Sequence, residues 1–243
     1  MAKSGKAPYF FALIVLLAVL AVYLPGLRNE LVFDDLRLTD GSIFGTYGNL
    51  LDIKQRMISY GSLVWNEQLV GSGLWKQRIV NIALHLGVVA ALYALLQALM
   101  ASTRFPQDIE DQPHFATSQR AALRVAVTLF ALHPLAVYAV GYLIQRSILM
   151  ATLFALLACW AFVRGLQTRS PAWFAGALLS YLLAVLSKEH AVMTVGLAIP
   201  LYIHVSRPGW RKIGILAACT LAVLCIAVTS MLHFYGDVIG QLF

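Results

Sequence analysis

Residues 79–101 read IVNIALHLGVVAALYALLQALMA, a run without a single Asp, Glu, Lys or Arg. An α-helix needs about 20 predominantly apolar residues to cross the hydrocarbon core of a bilayer. Six further apolar segments accompany this run, at 8–27, 122–143, 147–164, 172–187, 190–205 and 213–232. The pattern predicts an all-α polytopic integral membrane protein with about seven transmembrane helices.

The composition agrees with this class. Of the 243 residues, 60% are hydrophobic and 12% are charged, and the mean hydropathy is +0.77. This excludes an ordinary soluble domain. The net charge of +7 does not indicate nucleic-acid binding, because the basic residues are scattered through loops without a recognition motif. Contacts with anionic membrane lipids or a phosphate-bearing substrate explain them better.

The distribution of basic residues predicts the orientation in the membrane. Ten Lys and Arg residues, from Lys3 to Lys212, lie near segment ends on the side of the N-terminus, whereas the short loops opposite carry only Arg146 and Lys188. Basic residues accumulate on the cytoplasmic side. We therefore expect a cytoplasmic N-terminus and a periplasmic C-terminus, in a bacterial inner membrane. The first segment is expected to stay uncleaved, because no small-x-small motif follows it.

The chain is predicted to form one membrane domain over residues 1–243, with a long outer loop at 28–78 and no soluble domain. Apolar residues recur in this loop at mostly helical spacing: Ile43, Phe44, Tyr47, Leu50, Leu51, Met57 and Ile58. They predict an amphipathic helix in the outer membrane interface, which either shapes a lateral groove or shields the spans. Further along, Pro134 is predicted to kink or end the third span.

Charged residues are rare in this chain, and several are predicted to converge on the outer side, which suggests a site. The pair Asp34–Asp35 suits either a divalent cation such as Mg²⁺ or Mn²⁺, or a general base toward an acceptor hydroxyl. A solvated loop start is the structural alternative. Arg146 and Lys188 suit a phosphate group, with membrane-surface anchoring or a Lys188–Glu189 ion pair as the alternatives.

Histidines and their neighbours complete the predicted site. His85 follows Asn81 by one helical turn, so interhelical hydrogen bonding is expected first and substrate contact second. Two short apolar segments flank Lys188, as is typical of broken helices around a polar site. The residues predicted to line the site are His85, His133, Gln145, Glu189 and His190.

Five motifs occur in an order that resembles the N-terminal membrane half of the C-type (GT-C) glycosyltransferases. They are Val32-Phe33-Asp34-Asp35, Asn81-Ile82-Ala83-Leu84-His85, Phe130-Ala131-Leu132-His133-Pro134, Tyr142-Leu143-Ile144-Gln145-Arg146 and Leu186-Ser187-Lys188-Glu189. The resemblance runs over roughly residues 8–205 and is strongest to the transmembrane-and-tetratricopeptide-repeat O-mannosyltransferases and their bacterial relatives. It implies an inverting transferase that uses a polyprenyl-phosphate-linked sugar as donor on the periplasmic or lumenal face.

The resemblance also implies roles for individual residues. Asp34 or Asp35 would supply the acceptor base or a metal ligand. Arg146 and Lys188 would neutralise the phosphate of the leaving group. His133 and Glu189 would line or orient the site.

Departures from the family pattern support an alternative function. Tyr138 stands where an acidic residue is expected after the His-Pro motif, and Ser147 follows Arg146 where an acidic residue is usual nearby. The alternative is a non-catalytic GT-C-like subunit that binds lipid-phosphate or scaffolds a larger membrane or repeat-protein partner. A small transporter is a third option, but the chain has no inverted internal repeat to favour it.

Overall fold

The computed structural model describes residues 7–49 and 51–239. In these residues the secondary structure consists of α-helices and three 3-10 helices, and none of them belongs to a β-strand. The prediction of an all-α fold is therefore confirmed. Lys3 and Leu50, which entered the predictions above, lie outside the described residues.

The first part of the chain contains one N-terminal helix, a folded loop and one long helix. α1 spans Ala7–Tyr23 and continues as a 3-10 helix at Leu24–Arg28, and a second 3-10 helix spans Phe33–Leu38. The helices α2 (Ser42–Thr46), α3 (Met57–Val70) and α4 (Leu74–Ser102) follow.

The second part of the chain is helical almost throughout. It comprises α5 (Gln107–Glu110), α6 (Phe115–Ala131), α7 (Ala136–Gly141), α8 (Arg146–Thr168), α9 (Pro171–Ser187), a third 3-10 helix (Glu189–Leu197), α10 (Ala198–Ser206) and α11 (Trp210–Ile239).

Three helical segments are long and apolar enough to cross a membrane: Tyr9–Arg28, Leu74–Ser102 and Arg146–Thr168. Large apolar side chains on the helices also face outward, for example Leu17 (56% exposed) and Leu178 (60% exposed). An apolar outer surface is stable against lipid and costly against water. The length, composition and surface of these helices therefore agree with a membrane protein.

Helix α8 lies at the centre of the packing, between α4 and α9. Small side chains make the second contact close: Ala151 of α8 packs against Ala184 of α9 and against Ala191. Small residues let helices in a membrane approach closely enough for extensive van der Waals contact. On its other side, α8 places Val163 against Leu95 of α4.

The two ends of the bundle are defined by contacts between helix termini. At the first end, Arg146 at the start of α8 bonds Gln77 near the start of α4. At the other end, Gln167 near the end of α8 bonds Ser102 at the end of α4. We call the first the long-loop end, because the loop between α1 and α4 contacts it, for example through Ser62 and Arg146. We call the second the Arg104 end, because Arg104 follows α4 there.

Pro134 interrupts the third apolar segment as predicted. Helix α6 ends at Ala131, and α7 begins only at Ala136. Proline lacks a backbone N–H and disfavours the helical conformation of the residue before it, here His133. The segment 122–143 is therefore two helices joined by a turn.

The interfacial helix predicted around residues 43–58 does not form as one helix. Helix α2 ends at Thr46 and α3 begins only at Met57. Gly48 lies between them with φ +115°, and a Cβ at this position would lie 2.9 Å from Val64 Cγ1. This backbone suits glycine and breaks a helix. Much of α3 is also buried, with Leu63 fully inaccessible, so it packs as part of the protein and not as a surface helix.

Candidate functional site

Asp35 forms hydrogen bonds with the backbone of the loop before α8. Its side chain is 2% exposed. The backbone N–H of Leu143 donates to Oδ2 at 3.0 Å, and the N–H of Ile144 donates to Oδ1 at 2.9 Å. Each carboxylate oxygen thus satisfies one buried amide of the turn between α7 and α8. These two hydrogen bonds give Asp35 a structural role beside the predicted site.

Among the described residues, Arg146 is the largest fully buried side chain, at 0% exposed. Its guanidinium donates only to neutral oxygens: Asn81 Oδ1 (2.7 Å), Ser62 O (3.2 Å), Ser62 Oγ (3.5 Å), Gln77 O (2.7 Å) and Gln77 Oε1 (2.8 Å). The ion pairs among the described residues, Lys54–Asp52 and Arg56–Glu189, do not include it. Arg146 therefore joins α3, α4 and α8 and is closed to a ligand in this structure.

Asn81 and His85 make the interhelical hydrogen bonds predicted from their spacing. Asn81 Nδ2 donates to the carbonyls of Val140 (3.3 Å) and Tyr142 (3.2 Å), in the same turn that Asp35 binds. His85 Nε2 lies 2.9 Å from the carbonyl oxygen of Ala131, and its ring is 2% exposed. His85 is therefore buried between helices and does not line an open site.

Lys188 is a half-buried cation with a neutral partner. It lies between α9 and the third 3-10 helix, and Nζ donates to Gln145 Oε1 at 3.2 Å. Partial burial, and then the nearby charge of Arg56, lower the pKa of its ammonium group. Among the described residues no carboxylate forms an ion pair with it, and the predicted alternative of a Lys188–Glu189 pair is wrong.

A row of aromatic side chains extends from Lys188 toward the aspartate pair. Gln145 Nε2 donates to the hydroxyl of Tyr138 at 2.9 Å. The rings of Tyr138 and Tyr142 lie 5.6 Å apart between centroids, and those of Tyr142 and Phe33 lie 6.2 Å apart. Phe33 directly precedes Asp34 in the chain. We call this row, from Asp34 through Phe33, Tyr142, Tyr138 and Gln145 to Lys188, the long-loop rim.

Glu189 pairs with Arg56, a residue that the sequence did not single out. Arg56 Nε donates to Glu189 Oε2 at 2.9 Å, Nη2 donates to Oε1, and Nη1 donates to the Tyr60 hydroxyl at 2.8 Å. A planar guanidinium binding both oxygens is the strongest form of such a pair. Arg56 has φ +56°, outside the usual range for a non-glycine residue. The pair holds the long loop onto the start of the third 3-10 helix.

We expect the Arg56–Glu189 pair to make stability depend on pH. Hydrogen bonding to Arg56 is the main cause that lowers the pKa of Glu189. A lowered pKa stabilises the fold above the unfolded value of about 4.3, and the gain is lost as pH falls through the folded value. Glu189→Gln should therefore lower the unfolding free energy by about 1 kcal/mol at pH 7. Thermal unfolding in detergent should show the variant and parent converging in acid.

The exposed pair Lys54–Asp52 provides the control for this prediction. Asp52→Asn should change stability little at any pH, because exposed ion pairs contribute little. A gap between Glu189→Gln and the parent that persists undiminished into strong acid would contradict the assigned cause.

The remaining predicted site residues are exposed. Asp34 lies at the surface beside buried Asp35. His133 is exposed, and its Nδ1 accepts a hydrogen bond from the N–H of Leu135 at 3.2 Å, which closes the turn after α6. His190 is exposed as well. Of the predicted set, Asp34, Gln145 and Lys188 lie along the long-loop rim, whereas His85 does not.

A divalent cation at Asp34 and Asp35 stays a prediction. The described residues contain no group of three His, Cys, Asp or Glu side chains placed to hold a metal ion. Asp35 already binds two backbone amides, which leaves Asp34 as the accessible carboxylate.

The fold combines helices long and apolar enough to span a membrane with a row of polar and aromatic side chains, including Lys188, at one end. Comparison with family models, curated proteins and solved structures gave no significant match.

Proposed function

We propose that the protein is a GT-C-like membrane glycosyltransferase that moves a sugar from a polyprenyl-phosphate donor to a protein or glycan acceptor. The observation that carries the proposal is Lys188, a half-buried ammonium whose described partner is a neutral amide. Such a cation gains a full charge partner when a phosphate binds. Its position at the end of α9 suits a phosphate at the membrane surface, where a polyprenyl chain can stay in lipid.

The proposed topology has seven spans, a cytoplasmic N-terminus and a periplasmic long-loop end, in a bacterial inner membrane. The directions of α9 and α10 support this topology, because the two helices end at opposite ends of the bundle. Ser187 at the end of α9 is bonded by Ser59 of the long loop, whereas His204 near the end of α10 approaches Thr103 at the Arg104 end. The charge asymmetry of the loops supports the orientation.

In the proposed reaction, Asp34 acts as the general base. The acceptor hydroxyl oxygen attacks the anomeric carbon of the donor as its proton passes to the Asp34 carboxylate. The bond between this carbon and the phosphate oxygen breaks, and polyprenyl phosphate leaves with the electron pair. The Lys188 ammonium stabilises the charge that develops on the leaving phosphate. Attack from the face opposite the leaving group inverts the configuration.

Asp35 and Arg146 are positioning residues in this proposal. Asp35 binds the two amides directly before Gln145, and Arg146 directly follows it. Together they hold Gln145, which in turn binds both Lys188 and Tyr138. The charged groups with the deepest burial therefore set the geometry of the rim and do not touch the donor.

We expect Asp34→Asn to reduce sugar transfer at least about 100-fold, as is typical for loss of a general base. Transfer is measured as release of undecaprenyl phosphate from a panel of undecaprenyl-phosphate hexoses, with purified protein in detergent and membrane extract as acceptor source. Asp52→Asn is the matched control, an exposed aspartate of the same loop. Full activity in Asp34→Asn would contradict the role of Asp34.

Lys188→Ala should weaken binding of undecaprenyl phosphate about tenfold or more, because an ion pair to phosphate is lost. Native mass spectrometry of the purified protein measures this affinity. Lys76→Ala is the control, a lysine of the long-loop end whose ammonium donates to the Val70 carbonyl. Equal losses in both variants would contradict a specific phosphate contact at Lys188.

The second candidate function is a non-catalytic subunit that binds lipid-phosphate or scaffolds a larger membrane or repeat-protein partner. It is favoured by the engagement of Asp35 and Arg146 with protein groups, which leaves one accessible carboxylate at the rim. This candidate predicts undecaprenyl phosphate binding that depends on Lys188 but no transfer in the parent protein. It also predicts co-purification of a stoichiometric partner, unaffected by Asp34→Asn.

A further inference from the structure

A cavity of about 610 Å³ opens at the Arg104 end, on the side of the bundle opposite the long-loop rim. It lies between the ends of α4, α8 and α10. Arg104, Arg169 and Arg207 line it together with polar groups such as Gln167 and Ser102, and its lining contains no Asp or Glu. Three guanidinium groups around one cavity form a strongly positive site.

The three arginines lack charge partners within the described part of the chain. The ion pairs there involve Arg56 and Lys54, both in the long loop. The acidic residues that follow Arg104 in the chain, Asp108, Glu110 and Asp111, lie on α5 or directly after it, outside the cavity lining. Glu110 accepts a hydrogen bond from the N–H of Phe105. The cavity therefore carries three guanidinium groups and no carboxylate in its lining.

Two of these arginines occupy backbone conformations that favour glycine. Arg169 ends α8 with φ +55°, and Arg207 ends α10 with φ +48°. Helices commonly end in this left-handed conformation, but usually with Gly, which adopts it without steric cost. Arginine at both positions places a cation at the cavity where the turn alone would favour glycine. Strained positions of this kind occur preferentially at functional sites.

An apolar groove leads away from this cavity along the bundle. An adjoining cavity of about 470 Å³ shares Arg169 with the first and is also lined by Lys212 and Phe174. Phe174 in turn lines an almost entirely apolar groove of about 290 Å³ between α8, α9 and α10, whose walls include Ala177 and Leu178. The charged cavity and the apolar groove therefore both border the cavity between them, through Arg169 and Phe174, an arrangement that matches the shape of an amphiphile.

We propose that the Arg104 end binds an anionic phospholipid, with its phosphate among Arg104, Arg169 and Arg207 and one acyl chain in the groove beside Phe174. Arginine binds phosphate oxygens through paired N–H donors. Basic pockets between membrane helices are typical binding places for anionic lipid head groups. A free phosphate would use the same cations but would leave the apolar groove empty.

The test is a titration of detergent-purified full-length protein with dioleoyl phosphatidylglycerol or dioleoyl phosphatidylcholine, followed by native mass spectrometry. We expect phosphatidylglycerol to bind about 100-fold more tightly, since each of the three nearby arginines contributes about fivefold. The double variant Arg169→Gly/Arg207→Gly removes two cations while keeping the left-handed turns, so it should fold and lose this preference. Arg211→Ala is the matched control, an exposed arginine of α11 outside the cavity lining.

Two further measurements distinguish a phospholipid from a soluble phosphate as the ligand. Glycerol phosphate and inorganic phosphate, each at millimolar concentration, should leave phosphatidylglycerol bound, and Ala177→Trp, which fills the groove, should weaken it. Displacement by either soluble anion, or no effect of Ala177→Trp, would overturn the lipid assignment in favour of a free-anion site. Equal affinity for the two lipids, or an equal loss in Arg211→Ala, would overturn the site itself.

Discussion

Arg146→Ala should lower the unfolding free energy by about 3 kcal/mol or more, the largest effect expected for a single substitution here. The side chain is fully buried, and its loss leaves oxygens of Asn81, Ser62 and Gln77 without their donor. Each buried acceptor that loses its partner costs about 1–3 kcal/mol. Relief from burying an unpaired charge offsets part of this loss.

Unfolding in a detergent series, followed by circular dichroism, measures the effect of Arg146→Ala. Arg28→Ala, an exposed arginine at the same end, is the control and should stay within about 0.5 kcal/mol of the parent. Arg146→Met separates volume from hydrogen bonding, because Met fills space without donating. Stability equal to the parent in Arg146→Met would mean that the three-helix hydrogen-bond network does not hold the fold.

Asp35→Ala should lower the unfolding free energy by about 2–4 kcal/mol, the second-largest effect. Both oxygens of Asp35 accept bonds from buried amides, at Leu143 and Ile144, and alanine would leave these donors unpaired. The turn before α8 would loosen, and Gln145 with it. We therefore also expect weaker undecaprenyl phosphate binding, caused by displacement of Lys188's partner.

The neighbouring Asp34 is a matched control for this substitution. Asp34→Ala removes the same charge one residue away from an exposed position, and should leave stability unchanged. Thermal unfolding of the two variants side by side gives the comparison. If both variants were equally stable, the buried amides of Leu143 and Ile144 would have found other partners, and the positioning role of Asp35 would be wrong.

The helical fold could be predicted from local patterns. Apolar runs of membrane length indicate helices, and the proline after His133 indicates a helix end, without knowledge of distant contacts. The interhelical bonds of Asn81 and His85 also followed from spacing along one helix. The segment around Gly48 was predicted wrongly as helix, because its apolar spacing resembles a helix. The positive φ of Gly48, set against Val64, became visible only in the packed structure.

The roles of the charged residues could not be predicted, because their partners are far away in the chain. Asp35 binds amides more than 100 residues further on, and Arg56 pairs with Glu189 across 133 residues. From the sequence, an ion pair with the neighbouring Glu189 is one alternative for Lys188, whereas in the structure Lys188 donates to Gln145. The burial of Arg146 among neutral oxygens could not be predicted from the sequence, because arginine is rarely buried without a carboxylate partner.

The third 3-10 helix changes the reach of the segment 190–205. A 3-10 helix rises about 2.0 Å per residue and an α-helix about 1.5 Å. With its first half wound as a 3-10 helix, this segment extends about 28 Å, whereas an α-helix of the same sequence would extend about 24 Å. The hydrocarbon core is about 30 Å thick. Tighter winding therefore lengthens this short segment by about 4 Å, so that in the proposed seven-span topology Lys188 and Arg207 would lie near opposite surfaces of the hydrocarbon core.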